Sequence, residues 1–125
     1  MNRKTILLVD DSEIQRDIAR YALEAAGYEV FTAGTLDELE KQRARQRLDL
    51  IVMDVQMPES FGDDVAAVLK AVRGVKAPIV LFSSLGEIEL AERARVAEVE
   101  GFVSKSEGLE ALVHRIRALL ESAER

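Results

Sequence analysis

Short apolar runs alternate along this chain with longer stretches in which apolar residues recur at helical spacing. Five runs predict β-strands, at residues 5–9, 29–33, 48–55, 78–82 and 101–104. The first, third and fourth contain continuously apolar segments, which are typical of strands buried on both faces. The second and fifth are weaker, and we expect them at the edges of the sheet.

Five helices are predicted between and after these strands. Gly27 is expected to end the first helix and Gly74 the third. The second helix is expected to reach about residue 47, the fourth to run from 87 to about 98, and the fifth to follow the last strand. Capping-box pairs mark the starts of the first two helices, Ser12 with Gln15 and Thr35 with Glu38.

The spacing of apolar residues also predicts which helix faces are buried. The fifth helix is the most clearly amphipathic, and the second is poorly amphipathic beyond Leu39. The expected buried positions are Ile14, Ile18, Tyr21, Ala22 and Ala25 in the first helix, Val65, Val68, Leu69 and Val72 in the third, and Leu109, Leu112, Val113, Ile116, Leu119 and Leu120 in the fifth.

Regular alternation of strand and helix with short connections implies parallel strands joined by right-handed crossovers. The sequence therefore predicts an α/β fold, a flavodoxin-like (βα)5 three-layer sandwich with strand order 2-1-3-4-5. We expect residues 1–125 to form a single domain, because neither a repeat nor a linker interrupts them.

Composition limits the chemistry that this domain can perform. The chain has no cysteine and one histidine, which excludes thiolate zinc sites, cysteine nucleophiles and histidine-rich metal sites. A metal here would be a hard cation such as Mg²⁺ or Ca²⁺, held by oxygen atoms. The net charge of −6 argues against nucleic acid as a direct ligand.

The apolar run that begins at Ile6 is too short for a signal peptide and is stopped by Asp10 and Asp11. Nothing approaches the ~20 apolar residues of a membrane span, so membrane insertion is not expected. We expect a cytoplasmic protein.

Ligands of doubly wound sheets bind beyond the carboxyl ends of the strands, where the strand order reverses. Asp10 and Asp11 end the first predicted strand and Asp54 lies at the end of the third. Ser83 and Ser84 follow the fourth, and Lys105 follows the fifth. The topology therefore predicts that three carboxylates, a hydroxyl and an ammonium meet in one crevice.

Clustered carboxylates repel one another, so such a site favours a cation, and Mg²⁺ is the natural occupant. Bound Mg²⁺ would recruit a phosphate-like group, whose remaining oxygens Lys105 and Ser83 could hold. A carboxylate facing that phosphorus is a nucleophile that could form an acyl phosphate.

Each of these residues has an ordinary structural interpretation when taken alone. Asp11 could cap the first helix, Asp54 could begin a loop, and Lys105 could be a solvated surface residue. Their coincidence at four strand ends favours the functional interpretation. His114 lies off the apolar face of the last helix and is interpreted as a surface residue, not as a phosphoacceptor.

The chain resembles the receiver domains of two-component response regulators along essentially its whole length. The motifs that carry the resemblance are ILLVDDS at 6–12, DLIVMDVQMPESFG at 49–62, PIVLFSS at 78–84 and GFVSK at 101–105. Each motif alone is weakly specific, but together, in this order and at these spacings, they are strongly specific.

The resemblance implies a role for each site residue. Asp54 would be the phosphoacceptor, and the metal ligands would be Asp11 directly, Asp10 mostly through water, Asp54, and the Gln56 carbonyl. Lys105 would pair with phosphoryl oxygens, Ser83 would be the switch hydroxyl, and Phe102 the aromatic residue that rotates with it.

The resemblance also implies partners. The phosphodonor would be a phosphohistidine on a sensor histidine kinase or phosphotransfer protein, and a downstream output protein or domain would read the switched surface. The receiver itself would catalyse the transfer and the later hydrolysis, so it is primarily a signalling switch, and whether to class it as an enzyme stays open.

Three positions depart from the usual receiver pattern. Ser106 follows Lys105 where proline is common, so we expect a trans peptide and a loop of different shape. Phe102 replaces a frequent tyrosine, and Glu100 stands in a segment that usually has small residues.

Two alternative functions follow. The departures are compatible with a phosphorylation-independent pseudo-receiver, an interaction module that usually lacks the acceptor or an acidic-pair residue. The fold is shared with flavin carriers and with haloacid-dehalogenase-like phosphatases. However, Asp10 and Asp11 would repel a flavin phosphate, and that phosphatase class has Asp-x-Asp instead of adjacent aspartates.

Overall fold

A computed structural model describes residues 3–123 of the chain. Five strands and five α-helices alternate along it, with a short 3-10 helix after the last strand. The strands are β1 (Thr5–Val9), β2 (Glu29–Ala33), β3 (Leu50–Met53), β4 (Ile79–Ser83) and β5 (Gly101–Ser104). The helices are α1 (Glu13–Ala25), α2 (Leu36–Arg45), α3 (Gly62–Ala71), α4 (Glu87–Ala97), the 3-10 helix Lys105–Glu107 and α5 (Leu109–Ala123).

All strand pairs are parallel and the sheet order is β2-β1-β3-β4-β5, as predicted. The central strands β1, β3 and β4 are almost fully buried, whereas β2 and β5 form the edges. The chain adds β2 on one side of β1 and the later strands on the other, so the strand order reverses between β1 and β3. Doubly wound sheets bind ligands at this position, beyond the carboxyl ends of the strands.

Helices cover both faces of the sheet and form the predicted three-layer sandwich. One core lies under α1 and α5, where Leu23, Leu112 and Ile116 pack against the sheet. The other lies under α2, α3 and α4, where Leu39, Leu69 and Leu90 do so. Burial of apolar surface on both faces fixes the strand register, because a slip of one residue would exchange the two cores.

The predicted buried face of α1 is wrong. Ile14, Ile18 and Tyr21 are exposed, and Ala19 and Leu23 are buried instead. The helix carries two overlapping apolar stripes, and the one that contains Ala19 and Leu23 faces the sheet.

The predicted face of α3 is confirmed only in part. Leu69 is buried and Val65 packs against the core, but Val68 and Val72 are exposed, and Gly62 and Ala66 are also buried. By contrast, the predicted face of α5 is confirmed, with Leu112 and Ile116 fully buried.

The predicted helix ends are largely confirmed. Gly27 and Gly74 follow α1 and α3 with φ values of 102° and 67°, a region that favours glycine.

His114 is exposed, as expected. Among the helices that the structure describes, none is long and apolar enough to cross a membrane.

Candidate functional site

The first two acidic residues of the site come directly after β1. Asp10 is buried and Asp11 is exposed. The Asp10 backbone is fixed on both sides, because its N–H donates to the Ala33 carbonyl (3.1 Å) and its own carbonyl accepts from Arg16 (2.8 Å). Its side-chain Oδ1 accepts from the Ser12 N–H at 2.9 Å, which holds the carboxylate at the carboxyl end of β1.

Asp54 follows β3 and continues its ladder, since its N–H donates to the Val9 carbonyl at 2.9 Å. This pairing brings the Asp54 carboxylate beside the acidic residues that follow β1. One oxygen from each of Asp10, Asp11 and Asp54 lies within 4.8 Å of the other two. The predicted meeting of three carboxylates at the switch point is therefore present.

The surroundings of Asp54 disfavour its ionised form. Its pKa is raised from 3.8 to about 6, mainly because the carboxyl group is buried and also because the charge of Asp10 lies nearby. The charge of Lys105 and the Gln56 N–H, which donates to Asp54 Oδ1 at 3.2 Å, act in the opposite direction without cancelling the effect of burial. Three carboxylates with all-oxygen chemistry fit a hard divalent cation, so the cluster could hold a metal ion.

Lys105 reaches the same crevice from the end of β5. Its Nζ lies 3.0 Å from Asp10 Oδ2 and 3.5 Å from Asp54 Oδ2, and it also donates to Gln15 Oε1. The Phe82 ring lies beside the ammonium, with its centroid 5.7 Å from Nζ. The structure thus brings Lys105 to the acidic residues, as the sequence predicted.

The loop that carries Lys105 is held by its own capping box. The Ser104 hydroxyl accepts from the Ser106 N–H (3.4 Å), and Glu107 accepts from the Ser104 N–H (3.1 Å). The Lys105–Ser106 peptide is trans, as expected. Ser106 therefore has a local structural role in a 3-10 turn.

Glu100, another departure from the receiver pattern, also has structural partners. It accepts from the Ile79 N–H at 2.9 Å and pairs with Lys70 at 2.6 Å. These contacts tie the start of β4 to α3 and to the segment before β5, at the end of the sheet opposite to the acidic cluster.

Of the remaining predicted residues, Ser83 ends β4, Gln56 lies in the segment between β3 and α3, and Phe102 lies on β5. The Ser83 side chain is fully buried, and its hydroxyl accepts from the Leu85 N–H at 3.3 Å. Gln56 is exposed, and its side-chain oxygen accepts from the Ser84 hydroxyl at 2.7 Å. Phe102 is partly buried on β5 and packs against the core under α4.

The sequence interpretation missed the close approach of Gly62 to Asp54. A Cβ at Gly62 would lie 1.8 Å from the Asp54 carbonyl oxygen, a distance that no side chain could occupy. The glycine lets the first residue of α3 pack directly on the backbone of Asp54. A glycine eight residues after a strand-terminal aspartate gives too weak a signal to find this in one sequence.

An ion pair between α3 and α4 was also missed. Arg93 donates to both carboxylate oxygens of Asp63 at 3.1 Å, and its guanidinium lies 5.0 Å from the centre of the Phe61 ring. Asp63 is buried and adjoins Gly62. Residues thirty positions apart form this pair, so nothing local in the sequence indicates it.

Comparison with known proteins identifies the family. The sequence pattern of the response regulator receiver domain matches residues 6–117. The chain therefore belongs to the response regulator receiver domain family of two-component systems.

Two curated relatives are similar over nearly the whole chain. The polar-differentiation response regulator DivK of Brucella anthropi is 30% identical over 122 residues, which are 96% of this chain and 98% of that protein. The probable transcriptional regulatory protein TcrX of Mycobacterium tuberculosis is 31% identical over 93% of this chain. This chain spans about half the length of TcrX, since the match covers 49% of it.

Solved structures support the fold. The chemotaxis protein CheY4 of Vibrio cholerae superimposes with a TM-score of 0.81 at 28% identity, covering 94% of this chain and 98% of that one. A CheY-like receiver domain protein of Methanospirillum hungatei gives 0.84 at 23% identity, with 98% of each chain covered. The arrangement of five strands and five helices is thus shared with receiver structures.

Proposed function

We propose that this chain is a phosphorylation-driven switch in which Asp54 accepts a phosphoryl group from a phosphohistidine. The donor is a sensor histidine kinase or a phosphotransfer protein, and the cofactor is Mg²⁺. The observation that carries the proposal is the buried Asp54 carboxylate, flanked by two further carboxylates and within reach of the Lys105 ammonium.

The metal ligands in this proposal are the carboxylates of Asp10, Asp11 and Asp54 with the backbone carbonyl of Gln56. When bound, Mg²⁺ supplies positive charge that offsets the negative charge of the transferred phosphoryl oxygens. Burial raises the pKa of Asp54, and a cation bound beside this carboxylate would favour its ionised form.

The chain's own residues bind and orient the reacting groups. A carboxylate oxygen of Asp54 forms a bond to phosphorus while the phosphorus–nitrogen bond of the donor breaks and the donor imidazole leaves. Lys105 and the Ser83 hydroxyl donate hydrogen bonds to phosphoryl oxygens. Later attack by water on the phosphorus releases inorganic phosphate and regenerates Asp54, so the receiver catalyses both reactions.

The phosphoryl group would switch the surface formed by α4, β5 and α5. Movement of the Ser83 hydroxyl toward the phosphoryl group would break its bond with the Leu85 N–H and shift the loop before α4. Phe102, which would rotate with Ser83, lines a cavity of about 240 Å³ on that surface, together with Ala94 and Arg115. A downstream output protein or domain would read this change.

We place the protein in the cytoplasm, with no direct contact to nucleic acid.

A pseudo-receiver function is not favoured. The acceptor and both members of the acidic pair are retained in one cluster. The departures that suggested it, Ser106 and Glu100, have local structural partners, as described above.

Incubation with acetyl phosphate and Mg²⁺, followed by intact-mass spectrometry, tests the proposal. The expected result is one added phosphoryl group. It should not form when Mg²⁺ is chelated before the reaction, and it should be absent in Asp54→Asn. Asp37→Asn, at an exposed residue paired with Lys41, is the matched control and should be phosphorylated normally. No adduct on the wild-type chain, or an adduct that survives Asp54→Asn, contradicts the proposal.

A further inference from the structure

Gln15 does not perform the capping role that its sequence position predicts. The Ser12 hydroxyl accepts from the Gln15 N–H at 3.3 Å, which is half of a capping box. In the other half, the Gln15 side chain would accept from the Ser12 N–H. That N–H instead donates to Asp10 Oδ1 at 2.9 Å, and the Gln15 side-chain oxygen accepts from Lys105.

This contact completes the hydrogen bonding of the lysine. An ammonium has three N–H donors, and three acceptor oxygens lie within hydrogen-bond distance of Lys105 Nζ in the described part of the chain. They belong to Asp10, Gln15 and Asp54. Asp54 provides the longest of these contacts, at 3.5 Å, so Asp10 and Gln15 are the partners that fix the ammonium.

The two fixing partners differ in chemistry. Asp10 belongs to the cluster proposed to hold Mg²⁺, so its carboxylate is shared between the cation and the lysine. The Gln15 amide is neutral and lies on α1, so it can hold the ammonium without competing for the metal. Gln15 and Lys105 also line one cavity of about 240 Å³ between α1 and the start of α5, together with Phe82 and Leu109.

We propose that Gln15 is a positioning residue that holds the Lys105 ammonium beside Asp54 for phosphoryl transfer. The inference rests on the proposed function and extends it. It assigns Gln15 as the hydrogen-bond acceptor that keeps Lys105 in place once the cation occupies the carboxylates. Lys105 touches the phosphoryl group, and Gln15 acts only through Lys105.

The first test needs no phosphorylation. In the metal-free protein, solvent exchange of the Lys105 ammonium hydrogens is measured by ¹⁵N NMR. Gln15→Leu should accelerate the exchange several-fold, because one of three acceptors is removed, whereas Gln15→Glu retains an acceptor and should keep it slow. Unchanged exchange in Gln15→Leu overturns the inference, whatever the protein does with a phosphodonor.

The second test is a double-mutant cycle on the rate of phosphorylation by acetyl phosphate at saturating Mg²⁺. Loss of a hydrogen bond to a charged group corresponds to roughly a tenfold slower transfer in Gln15→Leu, with partial recovery in Gln15→Glu. Mg²⁺ affinity should change by less than about twofold, a shift well below the tenfold that corresponds to a lost hydrogen bond.

In a Lys105→Met background, Gln15→Leu should have no further effect on the rate. An equal slowing with and without Lys105 would show that Gln15 acts through helix α1 and would overturn the inference. A wild-type chain that takes no phosphoryl group contradicts the proposed function instead, and the exchange measurement then decides the role of Gln15 alone.

Discussion

Lys105 lies closer to Asp10 than to Asp54, with its Nζ 3.0 Å from Asp10 Oδ2 and 3.5 Å from Asp54 Oδ2. The two residues of the closer pair are 95 positions apart in the sequence and come from the ends of β5 and β1. The Lys105 ammonium therefore offsets part of the negative charge of Asp10 and Asp54.

Lys105→Met should therefore strengthen Mg²⁺ binding while it impairs phosphoryl transfer. Removal of a positive charge about 3 Å from one ligand makes the cluster more negative, and we expect the Mg²⁺ Kd to fall roughly fivefold. Isothermal titration calorimetry measures the affinity. Lys41→Met, at an exposed lysine paired with Asp37, is the control. Weaker Mg²⁺ binding in Lys105→Met would contradict this description of the site.

Asp54→Asn should stabilise the metal-free protein at neutral pH. Because the folded-state pKa of Asp54 is raised from 3.8 to about 6, the folded state binds more protons than the unfolded state between these values. The contribution of Asp54 to folding therefore becomes less favourable as pH rises through this window and stays so above it.

We expect Asp54→Asn to gain on the order of 2 kcal/mol in free energy of unfolding at pH 7.5, with a much smaller gain at pH 4. Urea denaturation with a chelator present measures the difference at both values, with Asp37→Asn as the control. Saturating Mg²⁺ should reduce the gain by stabilising the wild-type chain. A gain that does not depend on pH would contradict the assigned cause.

The helices and strands could be predicted because each depends on local patterns. Continuous apolar runs identify β1, β3 and β4, because strands covered by helices on both faces are buried at nearly every position. The exposed stripe of α1 shows the limit of this reasoning. Ile14 and Ile18 have larger apolar side chains than Ala19, but the angle at which the helix packs on the sheet decides which stripe is buried, and a single sequence does not contain it.

The acidic cluster could be predicted because parallel topology places all strand ends at one edge, whatever the details of packing. The contacts of Gln15 and Arg93 could not, because each pairs with a residue far away in the sequence. For Gln15 the sequence predicted a different contact, a capping-box hydrogen bond with the Ser12 N–H. That N–H donates to Asp10 instead.

Gly62→Ala should disrupt the site around Asp54 and destabilise the fold. The added Cβ would overlap the Asp54 carbonyl oxygen at 1.8 Å, so the start of α3 and the backbone of Asp54 must separate. Overpacking of this kind costs about 1–3 kcal/mol, and Mg²⁺ affinity should fall as well. Thermal unfolding and calorimetry measure the two effects.

Gly86→Ala is the matched control for this substitution. Gly86 precedes α4 with a φ of −59°, and a Cβ there would meet no atom within 4 Å. Equal behaviour of the two alanine variants would show that the space at Gly62 does not matter.

Arg93→Ala should destabilise the protein by about 1–3 kcal/mol, because it leaves the buried carboxylate of Asp63 without the guanidinium that donates to both of its oxygens. Arg95 on the same helix pairs with Glu92, and both side chains are more than half exposed, so Arg95→Ala should have little effect. Urea denaturation compares the two variants. Similar losses for both would contradict the structural role of the Asp63–Arg93 pair.

Direct identification of the phosphorylated residue tests the central claim. An aspartyl phosphate is reduced by sodium borohydride to homoserine, which peptide mass spectrometry locates in the sequence. After treatment with acetyl phosphate and Mg²⁺, we expect homoserine at position 54 and nowhere else in the chain. Homoserine at position 10 or 11, or none at all despite saturating phosphodonor and Mg²⁺, would contradict the account.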